Sequence, residues 1–283
     1  MKFRPWILVL PATLYLFLID IAPTIFALWA SFQKYILLSP LPIEFVAFEN
    51  YKKLLNDVDF WQSFVRSLTF ASLSTIVQLI IGMGVAFILY RDFKGKNIFR
   101  TILVLPLGVS PIAIGCMWKL MMNPLMGPVP WILKQLGFTF NYAAISWQAF
   151  GLLVLLDTWH WLPFTAIVLL SGLVSIPKDT IESSEVDGAN VLQKLLHIQL
   201  PLITNEILLV TLMRFMGSFQ IFDEVWMLTT GGPGHATRFL SILLYQTALL
   251  YSIDVGYGVT ISLLYLFFIV IFSWILFKII RSV

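Results

Sequence analysis

Apolar residues gather into runs along this chain, and six of the runs are long: about 8–32, 67–90, 99–122, 149–172, 202–228 and 254–278. A helix rises about 1.5 Å per residue, so roughly 20 apolar residues cross a hydrocarbon layer of about 30 Å. In lipid, backbone amides must be satisfied within their own segment, which makes each run a helix, and the runs lack the alternation of barrel strands. The pattern predicts an all-α polytopic membrane protein with six transmembrane helices, forming one domain over residues 1–283.

The polar stretches between the runs carry their own signals. Glu44–Phe64 and Asn123–Trp147 are rich in Phe, Tyr, Trp and Leu, which predicts short surface helices. Gly231-Gly-Pro-Gly234 is a turn cluster expected to end the fifth span on its outer side. The first apolar run follows Lys2 and Arg4 and extends to about Phe32, well past a signal core of roughly 7–15 residues, so a retained first span is expected. No internal repeat is evident.

Charge orients the spans. With an even number of spans, one side holds Lys2, Arg4, the cluster Arg91, Lys94, Lys96 and Arg100, then Lys178, Lys194, Lys278 and Arg281. The other side holds Lys34, Lys52, Lys53, Arg66, Lys134 and Arg238, spread over longer loops. The positive-inside bias places both termini in the cytoplasm.

Composition agrees: 59% of residues are hydrophobic and 12% charged, against about 25% charged in soluble domains. One cysteine, Cys116, forms no internal disulfide, and the three histidines lack metal-ligand spacing. Trp6, Trp29, Trp61, Trp147, Trp226 and Trp274 fall near span ends, where the amphipathic ring belongs. Trp159 and Trp161 lie inside the fourth span and need another explanation.

Polar groups inside spans are costly and raise functional questions. In the fourth span Asp157, Trp161 and Phe164 share a helical face, with His160 beside them. The fifth span carries Thr211, Arg214 and Ser218 at similar spacing, with Gln220 and Ile221 one turn on. Aromatic rings suit the C–H faces of sugars, and polar groups suit their hydroxyls. Two plainer roles compete: Arg214 pairing with Asp157 or another acid to lock helices, and His160 as a hydrogen-bonded packing residue. Asp20 marks a helix contact or a wet cavity, Lys119 snorkels to the interface, and Pro106, Pro111 and Pro163 are candidate kinks.

Between the fourth and fifth spans, residues 176–201 read as helix, turn, helix. Pro177 stops the span, Asp179 and Glu182 have capping-box spacing, and Gly188 breaks the chain before a short helix toward Pro201. A compact polar segment held against a membrane is a surface for a cytoplasmic partner.

The run Glu182-Ser183-Ser184, with Gly188 four residues on and Ile198-x-Leu200-Pro201 after it, resembles the EAA loop of ABC-importer permeases. Ser183 and Ser184 stand where that family usually has Ala-Ala, keeping small residues. Ile176-Pro177 and Asp187-Gly188-Ala189 match the carbohydrate branch. Gly217-Ser-Phe-Gln-Ile-Phe-Asp223, Leu228-Thr-Thr-Gly-Gly-Pro233 and, more weakly, Phe48-Glu-Asn-Tyr51 with Phe60-Trp61 resemble the first permease of sugar and glycerol-phosphate importers.

The resemblance implies a type I importer permease fold in the cytoplasmic membrane of a bacterium or archaeon. It implies coupling to an ABC ATPase dimer through Glu182, Ser183, Ser184, Asp187, Gly188 and Ala189. It further implies a second, homologous permease, an extracellular solute-binding protein, and sugar contacts at Trp159, His160, Trp161, Phe164, Arg214, Ser218 and Ile221. The chain has no G-x-x-x-x-G-K phosphate loop. A transport subunit rather than an enzyme is therefore expected, with no cofactor of its own and with ATP and Mg held by the ATPase. Rival readings are an anionic substrate such as glycerol 3-phosphate, argued from Arg214, and an ion-coupled secondary transporter using Asp20, Asp157 and Arg214.

Overall fold

The computed structural model describes the backbone of residues 6–281 and the side chains of residues 9–279. Lys2, Arg4 and the side chains of Trp6 and Arg281 lie outside the described residues. In chain order the helices are α1 (Trp6–Leu16), α2 (Ala22–Ser31), α3 (Glu49–Leu55), α4 (Val58–Tyr90) and α5 (Lys96–Val104). They continue as α6 (Pro111–Met121), α7 (Pro128–Gln135), α8 (Ser146–Ser175), α9 (Lys178–Val186) and α10 (Val191–Lys194). The last are α11 (Leu200–Leu202), α12 (Thr204–Phe219), α13 (Asp223–Leu228), α14 (Leu240–Tyr245) and α15 (Val255–Arg281). Strands among the described residues amount to one short antiparallel pair, β1 (Gln33–Lys34) with β2 (Glu44–Phe45).

Four helical stretches suffice alone to cross a membrane: Val9–Ser31, Val58–Tyr90, Ser146–Ser175 and Val255–Ile279. Two bent pairs, Lys96–Gly108 with Pro111–Met121 and Val191–Leu202 with Thr204–Phe219, bring the number to six if each is one span. Their bends are 102° and 73°. The first bend has a local cause: Ser110, immediately before Pro111, is extended (φ −61°, ψ 139°), because the proline ring disfavours helical geometry in the residue before it. Pro163, by contrast, is carried inside α8 without a break.

Several expected boundaries move. The second span starts at Val58 rather than 67, because Asp57 Oδ1 accepts the backbone N–H groups of Asp59 (2.8 Å) and Phe60 (3.4 Å) and so begins the helix early. The fifth expected run, 202–228, is two helices: α12 stops at Phe219, and α13 is separate. The glycine-rich turn therefore follows α13 and not a continuous span. An apolar helix at Leu240–Leu250 was not expected. The surface helices predicted in the two loops are α3 and α7.

The chain divides into two compact units, residues 1–63 with 240–268, and 64–239 with 269–283. In the first, Asn50 Nδ2 donates to the carbonyls of Ser31 (2.8 Å) and Gln33 (2.9 Å), and Tyr257 OH donates to Asp57 Oδ2 (2.5 Å). The first two tie the end of α2 and β1 to α3, and the third ties α15 to the turn between α3 and α4. The second unit holds an apolar core built from Ala86 and Leu89 of α4, Leu169, Leu170 and Leu173 of α8, and Ile203 and Val210 at α12. α4 and α8 approach so closely there that a Cβ on Gly82 would collide with Thr165.

Candidate solute pathway and coupling loop

The loop after α8 takes the helix–turn–helix form. Pro177 is the N-cap of α9, with no side-chain cap, so Asp179 sits inside the first turn and the expected Asp179–Glu182 box does not form. There it complements the positive helix end instead. The box is found one helix later, where Asn190 Oδ1 accepts from Gln193 N and Gln193 Oε1 accepts from Asn190 N, each at 2.9 Å. Gly188 has φ +77°, a left-handed conformation that favours glycine, and it turns the chain between α9 and α10.

On α9, Glu182 and Ser183 are exposed, as are Asp187 and Gly188 beyond it. Ser184 is buried and donates to Ile181 O at 2.6 Å, and Ala189 is half-buried. Ile181 packs against the α4–α8–α12 core, so the exposed face of α9 is rigidly backed by the spans. Val186 is 88% exposed, an apolar side chain presented outward beside the acidic ones. Lys194 Nζ bridges to Glu185 Oε1 at 2.8 Å and braces α10 against α9.

Deep in the same unit, α4, α8 and α12 meet through a buried polar network. Arg214 and Asp157 are 3% and 2% exposed. Arg214 Nη2 donates to Asp157 Oδ1 (3.0 Å) and Ser218 Oγ (3.0 Å), and its Nε donates to Gln78 Oε1 (2.7 Å). Asp157 Oδ2 accepts from Ser218 Oγ (2.7 Å) and Gln78 Nε2 (2.8 Å). Both carboxylate oxygens are thus engaged, the condition under which a buried ion pair is tolerated.

The aromatic residues stand on this network. Arg214 Cζ lies 4.4 Å from the ring centroid of Trp161, a cation–π contact. Trp161 meets Phe164 edge-on at 6.3 Å and His160 at 5.0 Å. His160 Nδ1 is 3.2 Å from Glu224 Oε1 on α13, both side chains buried. Trp159 turns toward Trp118 of α6, 5.9 Å between centroids. Trp159, Trp161 and Phe164 keep part of their surface exposed, whereas Ile221 is buried in the turn between α12 and α13. Just outside the helical span, burial and the neighbouring Glu224 push the Asp223 carboxyl up from its ordinary value.

The structure therefore brings Trp161, Phe164, Arg214 and Ser218 together, with His160 adjoining. It pairs Arg214 with Asp157, one of the partners expected for it. Gln78 and Glu224 were missed in the sequence. Each is a polar residue within an apolar run, the same signal that marked Asp157. Asp20 is exposed in a π-helical turn, Phe17–Ile21, and Lys119 is exposed near the end of α6. No cluster of metal-ligating side chains occurs among the described residues.

Comparison with known proteins gives a consistent picture. Residues 78–283 match the family described as binding-protein-dependent transport system inner membrane component. The chain is 31% identical over 261 residues to the trehalose/maltose transport system permease protein MalF of Thermococcus litoralis, covering 92% of this chain and 87% of that one. It is 32% identical over 248 residues to the sn-glycerol-3-phosphate transport system permease protein UgpA of Pectobacterium atrosepticum, covering 86% and 82%. Among solved structures, a chain of a bacterial ABC transporter involved in importing the acidic polysaccharide alginate superposes with a TM-score of 0.84 at 19% identity, covering 98% of this chain and 95% of that one. That likeness concerns the fold.

Proposed function

This chain belongs to the inner membrane components of binding-protein-dependent transport systems, and from that premise we propose that it carries a neutral sugar through the membrane by alternating access. A second, homologous permease pairs with it about a pseudo-two-fold axis, and a solute-binding protein delivers the sugar to its outer loops. Two ABC ATPase subunits drive the cycle, holding ATP and Mg themselves. Both termini lie in the cytoplasm.

The observation that carries the sugar reading is the arrangement around Trp161. Its partly exposed ring offers a platform for sugar C–H groups, and Arg214 behind it is already matched by Asp157. Phe164 stands edge-on to that ring and Trp159 is also partly exposed, while Ser218, His160 and Ile221 are buried behind them and are assigned to the pathway with them. A relative carrying glycerol 3-phosphate in its name keeps the anionic reading in view, but Arg214 supports it less once its charge is compensated. ATPase coupling is assigned to Glu182, Ser183, Ser184, Asp187, Gly188 and Ala189, on α9 and the turn that follows it, where Glu182, Ser183, Asp187 and Gly188 are exposed.

Proteoliposomes holding the purified complex and its binding protein test this. Uptake of maltose or trehalose is expected to require ATP, and glycerol 3-phosphate is expected not to compete. Uptake that needs an ion gradient and no ATP would overturn the reading, and preferred uptake of glycerol 3-phosphate would replace the sugar with the anion.

A further inference from the structure

We propose that Asp157 is the charge-selectivity determinant of the solute site, cancelling the Arg214 guanidinium so that the site accepts neutral solutes and declines anions. The inference rests on the sugar reading above and deepens it.

Two of the three guanidinium nitrogens of Arg214 are spent inside the protein. Nε is held by Gln78, and Nη2 by Asp157 and Ser218. Nη1 takes no part in these bonds. It lies under Gly217, where an added Cβ would come within 3.1 Å of it, and Gly217 is an exposed residue of α12. The missing side chain at 217 is thus an opening over Nη1. One face of Trp161 rests on the same guanidinium, while the ring remains partly exposed. A hydroxyl stacked beside Trp161 can accept a hydrogen bond from Nη1.

An arginine placed under such an opening would ordinarily favour carboxylates and phosphates, which match its fork. Here a carboxylate sits 3.0 Å from Nη2. A solute at Nη1 therefore meets a guanidinium already offset by its partner, and an anion gains less to offset its lost hydration. His160 and Glu224 form a second buried pair beside it. Asp157 acts on the solute through Arg214, as a positioning and charge-cancelling residue.

The test measures equilibrium binding of maltose, trehalose, the acidic disaccharide maltobionate and the basic disaccharide diglucosamine to the intact complex in nanodiscs. The unaltered complex should prefer the neutral sugars. Asp157→Asn, which keeps the shape and removes the charge, should raise the maltobionate-to-maltose binding ratio at least tenfold. Arg214→Gln leaves the carboxylate unmatched and should raise the diglucosamine-to-maltose ratio instead. The double variant Asp157→Asn/Arg214→Gln should return both ratios toward neutral preference. A purely structural role would weaken all four sugars alike and leave the ratios unmoved, which overturns the inference. Should Asp157→Asn fail to assemble on size-exclusion chromatography, Arg214→Gln decides by the same ratios. If the unaltered complex itself prefers maltobionate, the neutral-sugar reading falls with the inference; if it prefers neutral sugars and no variant shifts the ratios, the inference alone falls.

Discussion

At Gly82 the absence of a side chain sets the distance between two helices. A Cβ there would collide with the Thr165 methyl and lie 3.1 Å from its Cβ, in a β-branched residue that is fully buried and has little freedom to move. Gly84, two residues on, has nothing within 4 Å of the corresponding position. Gly82→Val should therefore destabilise by about 1–3 kcal/mol through overpacking. Gly84→Ala should be neutral or stabilising by about 0.5–1 kcal/mol, since alanine is the better helix former. Thermal unfolding of the solubilised complex distinguishes them, and equal effects would mean that α4 and α8 are not packed this closely. Sequence holds both glycines without saying which is crowded, because crowding depends on a residue 83 positions away. The same limit applied to Arg214. Its need for a partner was legible from its place in a span, and Asp157 was a candidate; the parts played by Gln78 and Glu224 required α4, α8, α12 and α13 to be set side by side.

Elements fixed by glycine or by composition were read well, and those fixed by caps or by packing were not. Gly188 forces its turn by its own backbone, and α3 and α7 follow from amphipathic composition. The early start of α4 at Asp57 and the split between α12 and α13 depend on caps and contacts that apolar periodicity does not encode. For α9 the consequence is functional. Its outer face carries Glu182, and its inner face carries Ile181, packed against the core of α4, α8 and α12. A push on the outer face therefore reaches the spans through that packing. Glu182→Lys should leave the complex assembled but abolish ATP-driven uptake, since it reverses the charge offered to the ATPase. Ile181→Ala should leave ATP hydrolysis in place while lowering uptake per ATP by severalfold, because the exposed face is kept and its backing is lost. Parallel ATPase and uptake assays on reconstituted complexes check both. Normal uptake by Glu182→Lys would remove α9 from the coupling role.

For the whole molecule the number of crossings turns on the two bent pairs, and the side on which α9 lies turns on α5 and α6. If the 102° bend lies within one crossing span, residues 94 and 125 emerge on opposite faces; with the 73° pair at 191–219 also crossing, the chain has six spans and both termini share a side. If the pair instead dips in and returns, the two residues share a face, and every segment beyond α6 changes sides. The charge pattern favours the first case, because Arg91, Lys94, Lys96 and Arg100 form the densest basic cluster and belong inside, while the stretch 123–146 carries only Lys134. Cys116 is exposed and is the sole cysteine, so Cys116→Ser provides a clean background. In it, Leu125→Cys, at a position 93% exposed, should react with an impermeant maleimide in intact cells. Lys94→Cys, in the exposed turn after α4, should react only after permeabilisation. Both positions are exposed on this chain, so burial within it cannot mimic protection by the membrane. Labelling of both from the same side would make α5 and α6 a re-entrant loop. It would then leave five spans, put the termini on opposite faces and place α9 on the C-terminal side, away from the basic cluster at 91–100.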